Sequence, residues 1–449
     1  MGDISDAMPK ISPTLQAVYD WHKKRGDSQT RRQYLGASIL GHECDRYLWY
    51  SFRWCFVPNF SGRMYRLFET GHLEEPRMTE ELRGAGLEVH DVDDAGEQYG
   101  FVDLGGHSRG HCDGFVLGVI EAPKTWHLLE DKTHKASSFR KLVSEGVKLS
   151  KPQHWAQCMI YMGYFKLTRC FYYAKNKDTD ELHVERIRFD ADEFKKYVAR
   201  AERIVRAPLP PERCSDRKDW YVCKMCDAFD VCWGSIAKAL PIPDKSCRTC
   251  CHSTPEVDEG ESWARWSCAL HRKDLSFEVQ QKACMSHLVL PPLITFAEPT
   301  DSGATWIEFT NKSDGAVWQH GEGKGEWKTE ELMVTPGPIV GKSVTGAVKK
   351  ALEAEVVKVE TPIDEGDLTL VERYDPGDCE LLFEGNSDTN SDQILEKLKE
   401  LLMVPGGEKL PEPTCEFDDD AYYAAEFDNR FCFVIYKADT YAAIWGGKE

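Results

Sequence analysis

No stretch of the 449 residues is apolar for long enough to cross a bilayer, and Met1-Gly2-Asp3 opens no charged-then-apolar leader. A membrane span and export are not expected, and the chain is expected to stay in the cytoplasm without a membrane partner. A basic excess is missing too. Against 75 Asp+Glu there are only 56 Lys+Arg, a net charge of −19, and a surface of that sign repels phosphate. A complete phosphate-binding loop is also lacking. Gly337-Pro338-Ile339-Val340-Gly341-Lys342-Ser343 has three residues between its glycines where such a loop has four, and no apolar strand precedes it. Nucleotide binding of that kind is not expected.

What is present points to a multi-domain globular protein. The chain is too long for one ordinary core, with 41% hydrophobic and 29% charged residues. Its charge is unevenly spread. Residues 1–240 hold 36 Lys+Arg and 35 Asp+Glu, a balance of +1, which leaves 20 and 40, a balance of −20, for residues 241–449. Any nucleic-acid contact therefore belongs to the first half, and the second half has another role. The 17 cysteines fit metal binding better than disulfides in a reducing compartment, and several cluster at short spacings. The expected division is 1–240, a Cys-rich module at 241–290 after the linker Pro241-Ile242-Pro243, and an acidic remainder at 291–449.

The most informative stretch is Gly110-His111-Cys112-Asp113-Gly114-Phe115-Val116, followed by Trp126-His127-Leu128-Leu129-Glu130-Asp131-Lys132. One strand delivers an acid. The next delivers an acid and, two residues on and therefore on the same face, a lysine. That is a way to build a divalent-cation site beside an ammonium group. Around it the patterns predict a helix over Phe68–Gly84, strands over Leu87–Val92, Cys112–Ile120 and Thr125–Asp131, and a helix from Lys151-Pro152 to about Phe165. Strands at Arg169–Lys175 and Leu182–Phe189 follow, then a helix Ala191–Arg206 started by Asp190 and Glu193. The order through Lys175 is α-β-β-β-α-β.

That order, with those residues, resembles the PD-(D/E)XK nuclease superfamily, in particular its RecB-like and lambda-exonuclease-like branches, over about the first 235 residues. The resemblance implies an α/β (α+β) fold, a restriction-endonuclease-like core of mixed central sheet flanked by helices. It also implies roles. Gly71-His72-Leu73-Glu74-Glu75 is similar to the first-helix motif, with Glu75 as the metal-facing acid. Asp113 matches the acid of the second motif, and Glu130-Asp131-Lys132 the acid-x-Lys motif. Gln157-Cys158-Met159-Ile160-Tyr161 resembles the Gln-x-x-x-Tyr motif, an i, i+4 pair that lines the substrate channel. RecB-like enzymes commonly carry His where Glu75 stands, whereas lambda-exonuclease-like enzymes carry Glu.

Phosphodiester hydrolysis requires an activated water and relief of the charge that builds on phosphorus, which Mg²⁺ (or Mn²⁺) on hard carboxylate oxygens supplies. Glu75, Asp113 and Glu130 are the expected metal ligands, with the Asp131 carbonyl. Lys132 is expected to orient or deprotonate the water, and Gln157 and Tyr161 to position the strand. The expected activity is a Mg²⁺-dependent DNA exonuclease, of the kind similar bacteriophage recombination and repair enzymes have, acting in the host cytoplasm. The rival is a non-catalytic nucleic-acid-binding or adaptor protein that keeps the fold.

Two cysteine sets remain. Cys223-Lys224-Met225-Cys226 followed by Cys232, with the early Cys44, is similar to the arrangement in iron-sulfur RecB-like nucleases such as the CRISPR-associated exonucleases and the AddB subunit. The resemblance implies a 4Fe-4S cluster on Cys44, Cys223, Cys226 and Cys232. Zinc on the same thiolates is the competing reading. Downstream, Cys247, Cys250, Cys268 and Cys284 are the expected ligands of a Zn²⁺ staple, with His271 and His287 as substitutes. A module of about forty residues needs such a staple. In the acidic remainder Trp306–Thr310 and Gly315–Trp318 predict a hairpin, Asp392–Leu402 a helix and Phe431–Tyr436 a strand. This segment is read as a small α+β domain with a solvated surface. DNA mimicry or recruitment of a basic protein partner are the functional alternatives.

Overall fold

A computed structural model describes residues 12–335 except 236, 259 and 324, then 337, 340, 341 and 349, together with the backbone of strands 355–356, 381–386, 430–436 and 441–446. The predicted helix Asp392–Leu402 and the acidic run Glu416–Asp420 lie outside the described residues. Two compact units emerge, one of Met1–Asp216 with Pro255–Ser267, the other of Arg217–Thr254 with Cys268–Glu449.

The first unit is a mixed α/β structure. In chain order its elements are α1 (Pro13–Asp27), β1 (Leu35–Gly36), α2 (Asp45–Phe52), α3 (Gly62–Gly84), β2 (Glu88–His90), β3 (Gly100–Asp103), β4 (Ser108–His111), β5 (Gly114–Leu117) and β6 (His127–His134). Then follow α4 (Ala136–Ser150), α5 (Pro152–Tyr164), β7 (Arg169–Asn176), β8 (Leu182–Arg188) and α6 (Ala191–Arg206). The main sheet runs β2-β5-β6-β7-β8. All its neighbours are antiparallel except β6 and β7, which run parallel with Glu130 opposite Tyr172 and Lys132 opposite Ala174. A parallel pair needs a crossover, here α4 and α5. A second sheet of order β1-β4-β3 contains the β3–β4 hairpin.

Strand alternation sorts the sheet's side chains. Leu129, Phe171 and Tyr173 join Met78 and Leu82 of α3 with Val89 and Val116 in one apolar core. On the opposite face Cys170 Sγ meets Cys158 Sγ of α5 at 3.6 Å, both fully buried free thiols. Glu130, Lys132 and Tyr172 share that second parity.

Several boundaries differ from the sequence reading for local reasons. Helix α3 starts at Gly62 because the Ser61 hydroxyl accepts the Met64 amide at 3.3 Å, an N-cap that the apolar pattern does not mark. Helix α4 is additional to the expected order, as are α1, α2 and the β3–β4 hairpin. Helix α6 runs as expected, its N-cap Asp190 accepting from the Asp192 and Glu193 amides. In the segment Pro255–Ser267, the Glu256 and Arg265 carbonyls each lie 3.0 Å from His107 Nε2, and Trp266 packs on Phe52.

In the second unit Ala297–Ser302, Trp306–Asn311 and Val317–Gly321 form an antiparallel sheet in which Thr310 pairs with Val317, the expected hairpin. Glu355–Val356, Leu381–Asn386, Arg430–Tyr436 and Tyr441–Gly446 form an antiparallel meander. No helix among the described residues is long and apolar enough to cross a membrane.

Candidate active site

The β5–β6 ladder ends at Gly114 opposite Leu129. Beyond it, the Asp131 amide donates at 2.8 Å to Asp113 Oδ2 rather than to a strand partner. The sheet thus opens where Asp113 enters it. Gly114 makes the entry possible: its φ is 139°, and a Cβ there would come within 2.5 Å of the His90 carbonyl oxygen.

Lys132 fills the mouth of this opening. Its ammonium contacts Glu130 Oε1, donates at 3.0 Å to the Asp131 carbonyl, and lies 3.6 Å from Asp113 Oδ2. One positive group therefore marks the point where two carboxylates and a main-chain carbonyl converge. Glu130 is fully buried and its Oε2 finds no hydrogen-bond partner among the described residues. Burial, with a contribution from Asp113, pushes the Glu130 carboxyl up to about 8 despite the pull of Lys132. Burial alone would lower Lys132, but Asp113 and Glu130 outweigh it and hold the amine well above its ordinary range.

Helix α3 presents two adjacent acids with different roles. Glu74 bonds Lys175 Nζ at 2.6 Å and is a structural partner. Glu75 is half-buried, and its carboxyl is raised first by burial and next by Asp113, with Lys132 opposing. It is thus within electrostatic reach of Asp113 and Lys132. From α5, Gln157 and Tyr161 are both buried. The Tyr161 ring packs against Gly110, where a Cβ would approach it to 2.8 Å. Its hydroxyl is raised by burial and then by Glu130 and Asp113.

The residue set fits a hard cation by its chemistry: carboxylates, a carbonyl, and a buried carboxylate oxygen without a donor. As the side chains stand, no three His, Cys, Asp or Glu among the described residues form a ready-made metal site, and Lys132 holds the carboxylates' charge.

Cys44 is a buried residue of the first unit at the N-cap of α2, its amide donating to His42 Nδ1 at 3.1 Å. Cys223, Cys226 and Cys232 belong to the second unit, around short helices at Tyr221–Lys224 and Phe229–Trp233. In the same unit Cys247, Cys250, Cys268 and Cys284 line a cavity of about 180 Å³ with His271. Burial and then the other three sulfurs push the Cys247 thiol up to about 12. His271 Nε2 lies 3.4 Å from Cys284 Sγ. Both His287 ring nitrogens are engaged in the core, Nδ1 with Thr329 Oγ1 at 2.9 Å and Nε2 with the Ser246 carbonyl at 2.9 Å.

A group the sequence reading did not single out adjoins Lys132: His134, His154 and Tyr172, with Ser138 and Lys151. The one signal for it is spacing, since His154 precedes Gln157 and Tyr161 by one and two turns on α5.

Protein-family models give no match to this chain, and no curated protein matches it. Among solved structures, SSO0001 matches with 16% identity over 50% of this chain and 98% of its own, at a TM-score of 0.28. An alkaline exonuclease, LHK-Exo from Laribacter hongkongensis, matches with 14% identity over 41% of this chain and 90% of its own, at 0.27. Its complex with dAMP matches with 15% identity over 39% and 87%, also at 0.27. Likeness this slight carries no argument for this chain.

Proposed function

We propose that the first unit is a metal-dependent deoxyribonuclease of the PD-(D/E)XK class that hydrolyses DNA exonucleolytically with Mg²⁺ or Mn²⁺. The observation that carries this reading is the convergence of Glu130, Asp113 and the Asp131 carbonyl on the Lys132 ammonium, with Glu75 in the same field. Glu75, Asp113, Glu130 and the Asp131 carbonyl would hold the cation. When bound, it supplies Lewis acidity toward the phosphoryl oxygen and lowers the pKa of a coordinated water.

The protein's own groups account for the rest. With Glu130 and Asp113 holding a cation, the Lys132 ammonium would be available to the attacking water or to phosphate oxygens. Gln157 and Tyr161 would position the strand. The near-neutral charge of residues 1–240 tolerates a polyanion, which the −20 of the remainder does not. Action within phage-type recombination or repair belongs to the same proposal.

Two metal staples complete it. Cys247, Cys250, Cys268 and Cys284 are proposed to bind Zn²⁺, supported by their shared cavity. Cys44, Cys223, Cys226 and Cys232 are proposed to hold a 4Fe-4S cluster. The acidic C-terminal segment is proposed to engage a basic protein partner.

The test is product analysis on end-labelled linear, circular and single-stranded DNA, with and without Mg²⁺. Mg²⁺-dependent release of nucleotides from linear but not circular DNA supports the reading. Intact DNA with fully metallated protein favours an adaptor that only binds.

A further inference from the structure

Five side chains beside Lys132 form one hydrogen-bonded chain that can run in a single direction of donation. Lys151 Nζ lies 2.6 Å from Ser138 Oγ, and Ser138 Oγ 3.3 Å from His134 Nδ1. His134 Nε2 lies 3.1 Å from Tyr172 Oη, which lies 2.7 Å from His154 Nδ1. An ammonium group only donates. Ser138 accepts from Lys151 and has its own proton to give to His134 Nδ1. A neutral His134 then carries its proton on Nε2 and donates to Tyr172, whose hydroxyl proton is left for His154 Nδ1. In that direction of donation His154 carries its proton on Nε2.

Both rings are neutral at physiological pH. Burial and then the Lys151 and Lys132 ammoniums lower His134 to about 4, and burial and then Lys132 lower His154 to about 3. The chain therefore ends in a neutral N–H donor. His154 is half-buried, its Nε2 has no hydrogen-bond partner among the described residues, and Tyr172 stands opposite Glu130 in the sheet.

We propose that His154 donates its Nε2–H to a non-bridging phosphate oxygen of the substrate next to Lys132, and that Tyr172, His134, Ser138 and Lys151 are positioning residues that set its tautomer. The identity of the acceptor rests on the nuclease reading; the tautomer does not. A neutral donor of fixed direction stabilises charge that grows on phosphate without competing with the cation for the carboxylates. Glutamine in place of His154 keeps an N–H donor, whereas alanine does not.

The experiment pairs histidine ¹⁵N NMR of the full chain, with His154 assigned by its disappearance in His154→Gln, with DNA hydrolysis in Mg²⁺. The expected spectrum shows His154 protonated on Nε2 at neutral pH, and Tyr172→Phe mixes or reverses the tautomer. The expected kinetics show His154→Ala losing about 10²-fold in kcat with little change in KM, in the range for removing one such donor, and His154→Gln recovering most of it. A His154 protonated on Nδ1 overturns the inference, as does a folded His154→Ala variant as active as wild type while Asp113→Asn is inactive. If His154→Ala does not fold, the Tyr172→Phe spectrum decides. An Nε2–H tautomer in a protein that leaves DNA intact overturns the nuclease reading, and phosphate as the acceptor with it, but leaves the relay standing.

Discussion

Lys132 and Asp113 approach each other to 3.6 Å at the place where the β5–β6 ladder stops, and the same Asp113 oxygen takes the Asp131 amide. One carboxylate therefore ties the ends of two strands together and also faces the lysine. An asparagine in its place keeps an oxygen to accept the Asp131 amide but removes the charge. Asp113→Asn should then lose at least about 10²-fold in DNA hydrolysis with an unchanged circular dichroism spectrum. Activity within a few-fold of wild type would remove Asp113 from the site.

The neighbouring acids of α3 should separate cleanly. Glu74 is committed to Lys175, which also pairs with Asp180, whereas Glu75 is coupled to Asp113. Glu75→Gln is expected to abolish Mg²⁺-dependent cleavage with little effect on Tm. Glu74→Gln is expected to lower Tm by a few degrees and retain cleavage. The reverse pattern in matched melting and cleavage assays would exchange the two assignments.

The second unit should be acid-sensitive through His320. Its Nδ1 donates at 2.7 Å to the Trp327 carbonyl and its Nε2 accepts the Val289 amide at 3.0 Å, so the ring has no place for another proton. Burial lowers its pKa to about 4, against about 6.5 in an unfolded chain. Because the folded-state value is the lower one, the stabilisation is fully present above pH 6.5 and is lost as the pH falls from there toward 4. Melting curves between pH 7.5 and 4.5 should show a steeper loss for wild type than for His320→Gln. Parallel curves would contradict this.

The cysteine sets make distinct predictions. Cys250→Ser should lose zinc by elemental analysis and lower the melting temperature, since a small module without its staple is short of core. Cys226→Ala should instead lose visible brown absorbance. A colourless native protein with a second zinc would assign the first set to zinc.

Much of the first unit was legible because apolar alternation and an acid N-cap are local. Helix α6 is announced by Asp190, and strand β7 by its apolar run. Local signals do not announce helix α4, where Gly146 at φ 72° interrupts the pattern, or the passage of Pro255–Ser267 into the first unit. That passage depends on His107, some 150 positions away. Asp113, Glu130 and Lys132 were readable since two of them share a strand face and the third precedes a glycine that only a special φ explains. The His134–Tyr172–His154 chain was not, because its members lie on β6, β7 and α5 and meet only in the folded unit.

The groups gathered around Lys132 are proposed to be a cation-dependent hydrolytic site. Hydrolysis of end-labelled linear DNA by the full chain tests it most directly, measured over a Mg²⁺ titration for wild type and Lys132→Met. Saturable, Mg²⁺-dependent release of nucleotides by wild type and a loss of at least about 10²-fold in the variant are expected. Cleavage that needs no divalent cation, or a Lys132→Met protein as active as wild type, would contradict it.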